Sequence, residues 1–288
     1  MRRTPTPTLT ERQRVLLSHA RRVVYATPSE GPELALHVYL PRDYAEGPPR
    51  PGLLFFHGGA WDRGSAAEFA PHALHCVERG AVAVLAEYRH RGTHAECRPA
   101  DSHEDAAAAM RYLLEHSGTL HLDTQRLVVV GTGAGANLAG ALVLKDATES
   151  AGARIRPAAA VLVSAVFDPS QDGPWSPLFA TPEEARSLAL PRLAARRSPP
   201  VLVVHGTTER LVPFEAAESF VARMVRLRNR CRLAEFEGRD RGFHHHNLDP
   251  LSFEAFLSEV ASFLDETGVL PQSPDDPEIH LVFKADPA

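Results

Sequence analysis

The sequence predicts an α/β fold, with a mostly parallel twisted sheet covered by helices on both faces. Three observations predict it. Short and almost wholly apolar runs, such as Gly52–His57 and Val201–His205, have the length and composition of buried strands. Amphipathic stretches such as Pro213–Leu227 separate these runs and have helical periodicity. Proline and glycine are spread through the loops, so no composition shift divides the 288 residues into two domains.

The predicted elements alternate along the chain between strand and helix. An alternating pattern predicts an early strand over residues 34–40, and apolar runs between turn signals predict the later ones. The later strands are expected over residues 52–57, 81–88, 126–130, 158–164, 201–205 and 233–236. Helical periodicity predicts helices over residues 101–116, 137–145, 213–227 and 253–264. We therefore expect an N-terminal extension over 1–22, one domain over 23–268, and a tail over 269–288 in which Ile279–Phe283 is a candidate short strand.

Composition and charge exclude several classes of protein. The formal net charge is -5, with 31 basic and 36 acidic residues of scattered sign, which argues against a nucleic-acid partner. No stretch reaches the roughly 20 apolar residues of a membrane-spanning helix, so we expect no membrane partner. Three cysteines without metal or disulfide spacing, and no apolar signal-peptide segment near the start, favour a cytoplasmic location.

Two glycine motifs follow predicted strands, at the sheet edge where open α/β sheets bind ligands. His57-Gly58-Gly59-Ala60-Trp61 comes directly after a strand, and such a turn directs backbone N–H groups toward a developing oxyanion. Gly131-Thr132-Gly133-Ala134-Gly135 joins a strand to a helix and has the frame of a nucleophile elbow, G-x-S-x-G. A dinucleotide-binding turn is the competing interpretation. It requires an acidic residue at a strand end some 20 positions later, whereas Asp146 and Glu149 fall near a helix end.

Two later loops carry the remaining candidates. The first contains Glu209 and follows the strand ending at His205, and the second contains Arg241 just before Gly242-Phe243. In this architecture the acid and the histidine of a catalytic triad come from these two loops.

From about Val23 to Leu264 the chain resembles the α/β-hydrolase fold, in the esterase branch related to hormone-sensitive lipase and to bacterial feruloyl and acetyl-xylan esterases. The resemblance rests on the two glycine motifs, His205-Gly206, Gly242-Phe243 and the segments Tyr88-Arg89, Pro99–Asp105 and Leu122–Arg126. It implies an oxyanion hole formed within His57–Trp61 together with Ala134.

The chain departs from this family at two catalytic positions. The family pattern has serine where this chain has Gly133, and histidine where it has Arg241. The acid position holds Glu209, which is chemically adequate. We therefore expect a catalytically impaired pseudoenzyme that binds a small ester-like or carboxylated molecule, or a protein partner, without metal or cofactor. The alternative is an active carboxylic-ester hydrolase, or a cofactor-independent lyase or cyclase, that uses rearranged residues.

Three further expectations concern histidines and Arg241. The tract His244-His245-His246 is expected to be solvated or to scavenge metal ions, since it starts three residues beyond the family histidine. The loop carrying His90, His94, Glu96, Cys97 and His103 is expected to be polar and solvated. Arg241 is expected either to pair with Glu209 or to extend over Gly133 and bind an anion.

Overall fold

The computed structural model describes residues 10–145, 148–150 and 153–270. The strands are β1 Arg21–Ala26, β2 Leu34–Tyr39, β3 Arg50–Phe56, β4 Val82–Ala86, β5 Leu122–Thr132, β6 Thr148–Ser150, β7 Ala153–Ile155, β8 Ala159–Val163, β9 Val201–Gly206 and β10 Cys231–Phe236. The helices are α1 Glu11–Ser18, α2 Ala70–Glu78, α3 Pro99–Glu115, α4 Ala134–Leu144, α5 Pro182–Ser187, α6 Leu190–Leu193, α7 Phe214–Arg226 and α8 Pro250–Glu266. Short 3₁₀ turns occur at Ala66–Phe69, Ser176–Leu178 and Arg241–His244.

One sheet organises the described chain, in the strand order β1-β2-β4-β3-β5-β8-β9-β10. β1 and β2 pair antiparallel, β2 pairs antiparallel with β4, and every later pair in the sheet is parallel. β6 and β7 form a separate antiparallel hairpin. The mostly parallel α/β sheet that the sequence predicts is confirmed.

The apolar core has two layers because successive side chains of a strand point to opposite faces of the sheet. In β3, Leu54 and Phe56 pack in the layer that includes α3, α4 and α7, while Leu53 and Phe55 pack in the layer that includes α2 and α8. Both faces of the central strands are therefore buried, which explains their continuous apolar runs.

The described part of the predicted N-terminal extension packs against the domain. Helix α1 begins after a capping box at Thr10, and Tyr39 donates a hydrogen bond to its Leu16 carbonyl at 2.8 Å. Strand β1 starts at Arg21 and forms one edge of the sheet. The tail segment Ile279–Phe283 lies outside the described residues.

Parallel strands bring their carboxyl ends to one edge of the sheet, and the loops after β3, β5, β8, β9 and β10 meet there. Among the described residues, no helix is both long and apolar enough to cross a bilayer.

Candidate functional site

The turn between β5 and α4 has the backbone of a nucleophile elbow with glycine at its centre. Gly133 lies at φ 55° and ψ -114°, a left-handed conformation that a residue with a Cβ adopts only under strain. Its N–H donates to the Val163 carbonyl at 2.9 Å, and its own carbonyl accepts from the Val166 N–H at 3.1 Å. These bonds join the turn to the end of β8.

The glycines of the elbow meet different surroundings. A Cβ on Gly135 would lie 2.2 Å from the carbonyl oxygens of Phe56 and His57, so only glycine fits there. A Cβ on Gly133 would have the Cα of Gly58 as its nearest heavy atom beyond its chain neighbours, at 4.0 Å. The structure therefore has room for a side chain at the nucleophile position.

The predicted oxyanion loop lies across the elbow in a strained conformation. Gly59, Ala60 and Trp61 have φ values of 119°, 56° and 57°. Within the described chain, no group accepts a hydrogen bond from the N–H of Gly59, Ala60 or Ala134. Those three donors are available to a ligand, and two of them belong to the loop that the sequence predicts.

Gly58 and His57 stabilise the oxyanion loop and do not offer free donors to a ligand. The Gly58 N–H donates to Glu68 Oε2 at 3.0 Å, which corrects the expectation that it is a free oxyanion donor. The His57 ring stacks on Tyr88 with centroids 4.3 Å apart, and its Nδ1 lies 2.8 Å from the Gly58 carbonyl oxygen. Burial lowers the pKa of His57 to about 4, so this imidazole is neutral and supports the loop.

Trp61 of the oxyanion loop is buried, and its indole N–H has no acceptor among the described residues. Its ring meets Phe179 edge-on at 6.0 Å, so the segment after β8 covers the oxyanion loop. Trp175, in the same segment, instead donates to the carbonyls of Pro169 and Gln171 and packs within its own loop.

Glu209 lies buried in the loop after β9, as the acid of a triad would. Its Oε1 accepts from the Leu211 N–H at 2.7 Å, while its buried Oε2 has no hydrogen-bond partner in the described part of the chain. Burial raises the pKa of this carboxyl group. The unpartnered oxygen is the atom that a triad histidine would contact in this fold.

Arg241 does not fill that gap. The side chain is half-buried, and no ion pair within 4.0 Å joins it to Glu209 in the described structure, so the expected carboxylate–guanidinium pair is wrong. Its positive charge acts on Glu209 only at longer range, where it opposes the rise in the Glu209 pKa. Arg241 is the first residue of the 3₁₀ turn Arg241–His244, and its N–H donates to the side chain of Asp240.

The histidine tract is not solvated. His244 and His245 are 2% and 6% exposed, because the turn that starts at Arg241 packs them against α2 and Glu68. The loop after β4 is also less solvated than predicted, since His90, His94 and Cys97 are buried.

His103, which the sequence places in that loop, lies instead on a helix and points toward the core. It lies on α3, 2.9 Å from Asn137 Oδ1. No histidine of the described chain therefore replaces the triad base by contact with Glu209.

The sequence does not identify Glu68, and it argues against Ser164 as a nucleophile because no comparable turn frames this serine. Glu68 interrupts the apolar run Ala66–Ala70 just after the oxyanion motif, and this lone carboxylate was the available signal. Ser164 directly follows β8 with φ 43°, and its buried Oγ has no hydrogen-bond partner within the residues that the structure describes.

Comparison with known proteins agrees with this geometry. A family profile described as the alpha/beta hydrolase fold matches residues 53–188. The chain is 26% identical over 246 residues to a probable isoprenylcysteine alpha-carbonyl methylesterase of Oryza sativa subsp. japonica, covering 76% of this chain and 57% of that protein. It is 28% identical over 249 residues to esterase LipC of Mycobacterium tuberculosis, covering 78% of this chain and 60% of that protein. The chain thus spans little more than half the length of these curated relatives.

Solved structures match over more of their length. Native esterase 2 of Thermogutta terrifontis is 30% identical with a TM-score of 0.81, covering 90% of this chain and 96% of that chain. The same esterase with propionate bound is 30% identical with a TM-score of 0.80, covering 89% of this chain and 97% of that chain. The chain therefore belongs to the α/β-hydrolase family, in its carboxylesterase-like branch.

Proposed function

We propose that this protein is a pseudoenzyme of the carboxylesterase-like branch, which binds a small carboxylated or ester-like molecule without serine-hydrolase turnover. The observation that carries the proposal is the buried Oε2 of Glu209, which has no hydrogen-bond partner among the described residues, in a chain whose elbow has Gly133 at its centre. Glu209 occupies the acid position of a triad, but no described histidine contacts it to act as the base. Even with a base in place, Gly133 would offer no nucleophile for it to activate.

Magnitudes from serine proteases indicate the size of the loss. Removing the nucleophile or the base of a triad costs about 10⁶ in kcat, while the oxyanion hole and substrate binding retain about 10³–10⁴ over water. Gly133 and Arg241 stand at both positions. Ordinary esterase turnover is therefore not expected, whereas ligand binding through the remaining donors is.

The available donors favour an oxyanion or carboxylate. The N–H groups of Gly59, Ala60 and Ala134 are unused in the described structure, and Ala134 begins helix α4, whose N-terminus favours negative charge. The Thermogutta esterase has been solved with propionate and with butyrate bound. Short-chain carboxylates and their esters are accordingly the ligand class to test first.

A second candidate function is hydrolysis with a relocated nucleophile, and Ser164 favours it. This serine combines a positive φ with a free, buried hydroxyl, and the backbone on both sides of it is bonded to Gly133. A fluorophosphonate probe distinguishes the two functions, since labelling of the wild type that disappears in Ser164→Ala would support hydrolysis and overturn the pseudoenzyme proposal.

The decisive experiment restores the missing pair. The wild type, Gly133→Ser, Arg241→His and the double variant are assayed against short p-nitrophenyl esters. We expect turnover and fluorophosphonate labelling only when Ser is present at 133, and the highest rate in the double variant. Wild-type turnover at the rates of ordinary esterases would contradict the proposal.

Ligand binding needs its own measurement. Titration of the wild type with propionate and butyrate, followed by NMR, should perturb the amide signals of Gly59, Ala60 and Ala134. Propionamide, which has the size and shape of propionate without the charge, is the matched control. Equal perturbation by propionamide, or none by either carboxylate, would remove the carboxylate class.

A further inference from the structure

A buried group of two histidines and one carboxylate lies behind the oxyanion loop. The Nε2 atoms of His244 and His245 lie 3.3 Å and 3.7 Å from Glu68 Oε1. One ligand atom from each of the three residues lies within 4.8 Å of the others. The two imidazole rings have centroids 4.1 Å apart and are tilted by 39° relative to each other.

These separations are close to those of ligands around one metal ion. Tetrahedral bonds of about 2.0–2.2 Å to imidazole nitrogen and carboxylate oxygen hold ligand atoms about 3.3–3.6 Å apart. The two measured nitrogen–oxygen distances are 3.3 Å and 3.7 Å. The third separation, between ligand nitrogens of the two imidazoles, is within 4.8 Å, so these nitrogens would adjust their positions to share one coordination sphere.

The ligand atoms suit a cation. An imidazole binds a metal ion through the lone pair of an unprotonated ring nitrogen, and the Nε2 atoms of His244 and His245 are the ones that lie near Glu68 Oε1. Glu68 is 13% exposed at its side chain, and no arginine or lysine nitrogen of the described chain lies within 4.0 Å of it. A buried carboxylate without a cation is costly, and a divalent ion would neutralise it.

The surrounding groups fix these ligands in place. The second carboxylate oxygen of Glu68 accepts the Gly58 N–H at 3.0 Å. The Nε2 of His72 on α2 lies 3.0 Å from the His244 carbonyl oxygen, which holds the chain at that residue. Phe253 and Phe256 of α8 contact the His72 ring and close the site on the side of that helix. Such outer contacts are a regular feature of metal sites.

We propose that Glu68, His244 and His245 form a binding site for one divalent transition-metal ion of the Zn²⁺ class. Two imidazole nitrogens and one carboxylate oxygen are the donor set that suits zinc, with a position left for water. The proposal replaces the expectation, drawn from the sequence, that the protein holds no metal. Through Glu68 the ion is connected to Gly58, so the metal braces the oxyanion loop from behind.

The test uses full-length protein without an affinity tag, stripped of metal by a chelator and titrated with ZnCl₂ in competition with a chromophoric zinc indicator. We expect one equivalent to bind with high affinity and to raise the melting temperature. Glu68→Gln and His245→Gln should each weaken binding by at least about 100-fold, since loss of an outer partner alone costs about 10–100-fold. His246→Gln is the matched control, because this neighbour packs its ring against Phe253 and belongs to the same tract.

A spectroscopic measurement keeps the proposal testable if a variant fails to fold. Co²⁺ added to the stripped wild type should give the visible bands of a four-coordinate site, and Zn²⁺ should displace it. Failure of the wild type to bind either ion more tightly than a histidine-containing surface peptide would overturn the proposal. Equal affinity in the wild type, Glu68→Gln and His245→Gln would also overturn it, by assigning the metal to other histidines.

Discussion

At the scale of single residues, the buried carboxylate of Glu209 destabilises the folded state at neutral pH. Its carboxylate is buried with one oxygen that no described residue contacts by a hydrogen bond, and burial raises its folded-state pKa above the ordinary 4.5. Because the pKa is raised, the folded state binds a proton at Glu209 more tightly than the unfolded state does. The stability that this proton contributes is fully present below about pH 4.5 and is lost as pH rises through the folded-state pKa.

We therefore expect Glu209→Gln, which removes the charge but keeps the acceptor for the Leu211 N–H, to stabilise the protein at pH 7 more than at pH 4.5. Melting temperatures of variant and wild type at both pH values provide the measurement. Glu237→Gln, at an exposed position after β10, is the control. A difference in melting temperature that does not change with pH would contradict the expectation.

The positions of the site residues could be predicted from the sequence, whereas their contacts could not. Gly133, Glu209 and Arg241 follow from motif position, because the elbow frame and the strand ends determine where those residues lie. Their contacts do not follow from it. Whether Arg241 reaches Glu209 depends on the conformation of its loop and of its side chain, which the position in the motif does not determine.

At the scale of elements, Asn137 connects three parts of the fold. Its amide nitrogen donates to the carbonyls of Val166 and Leu188, and its Oδ1 lies 2.9 Å from the Nε2 of His103. One fully buried side chain of α4 thus joins α3, the loop after β8 and the end of α5. It fixes the segment that covers the site.

We expect Asn137→Ala to lower the free energy of unfolding by about 1–3 kcal/mol, which is the usual cost of leaving a buried polar group without its partner. Chemical denaturation measures it, and Arg111→Ala, at an exposed position of α3, is the control. A loss no larger than that of the control would show that water replaces the amide.

The elements themselves were predictable where they are buried. Strands β3 and β9 are continuous apolar runs, so composition alone identified them within one or two residues. Strand β1 reads Arg-Arg-Val-Val-Tyr-Ala and lies at the sheet edge with exposed residues, so it lacks the signal of a buried strand. Helix α1 depends on packing against the 3₁₀ turn at Ala66–Phe69, a contact distant in sequence.

At the scale of the whole molecule, buried neutral histidines make folding sensitive to acid. Burial lowers the pKa of His57 to about 4 and that of His103 to about 3, from 6.5. Below pH 6.5 these histidines become protonated in the unfolded chain but stay neutral in the folded chain. The free energy of unfolding therefore falls as pH drops toward the folded-state pKa values.

His103→Gln removes one such proton site and retains a donor for Asn137. We expect the melting temperature of this variant to fall less than that of the wild type between pH 7 and pH 5. His116→Gln serves as the comparison, because His116 lies at the end of α3 and stacks on Tyr112. Parallel acid profiles for all three proteins would refute the assignment.

The open space above Gly133 makes this position suitable for selective chemistry. Burial raises the pKa values of the three native thiols Cys76, Cys97 and Cys231 to about 12, 11 and 12, which leaves them poorly reactive. A cysteine at 133 would lie at the start of α4, where the helix dipole favours a thiolate. Gly133→Cys should therefore react with iodoacetamide at least about 10-fold faster than any native thiol, as peptide mass mapping would measure. Protection of that cysteine by an added carboxylate would turn the vacant catalytic position into a direct sensor of site occupancy.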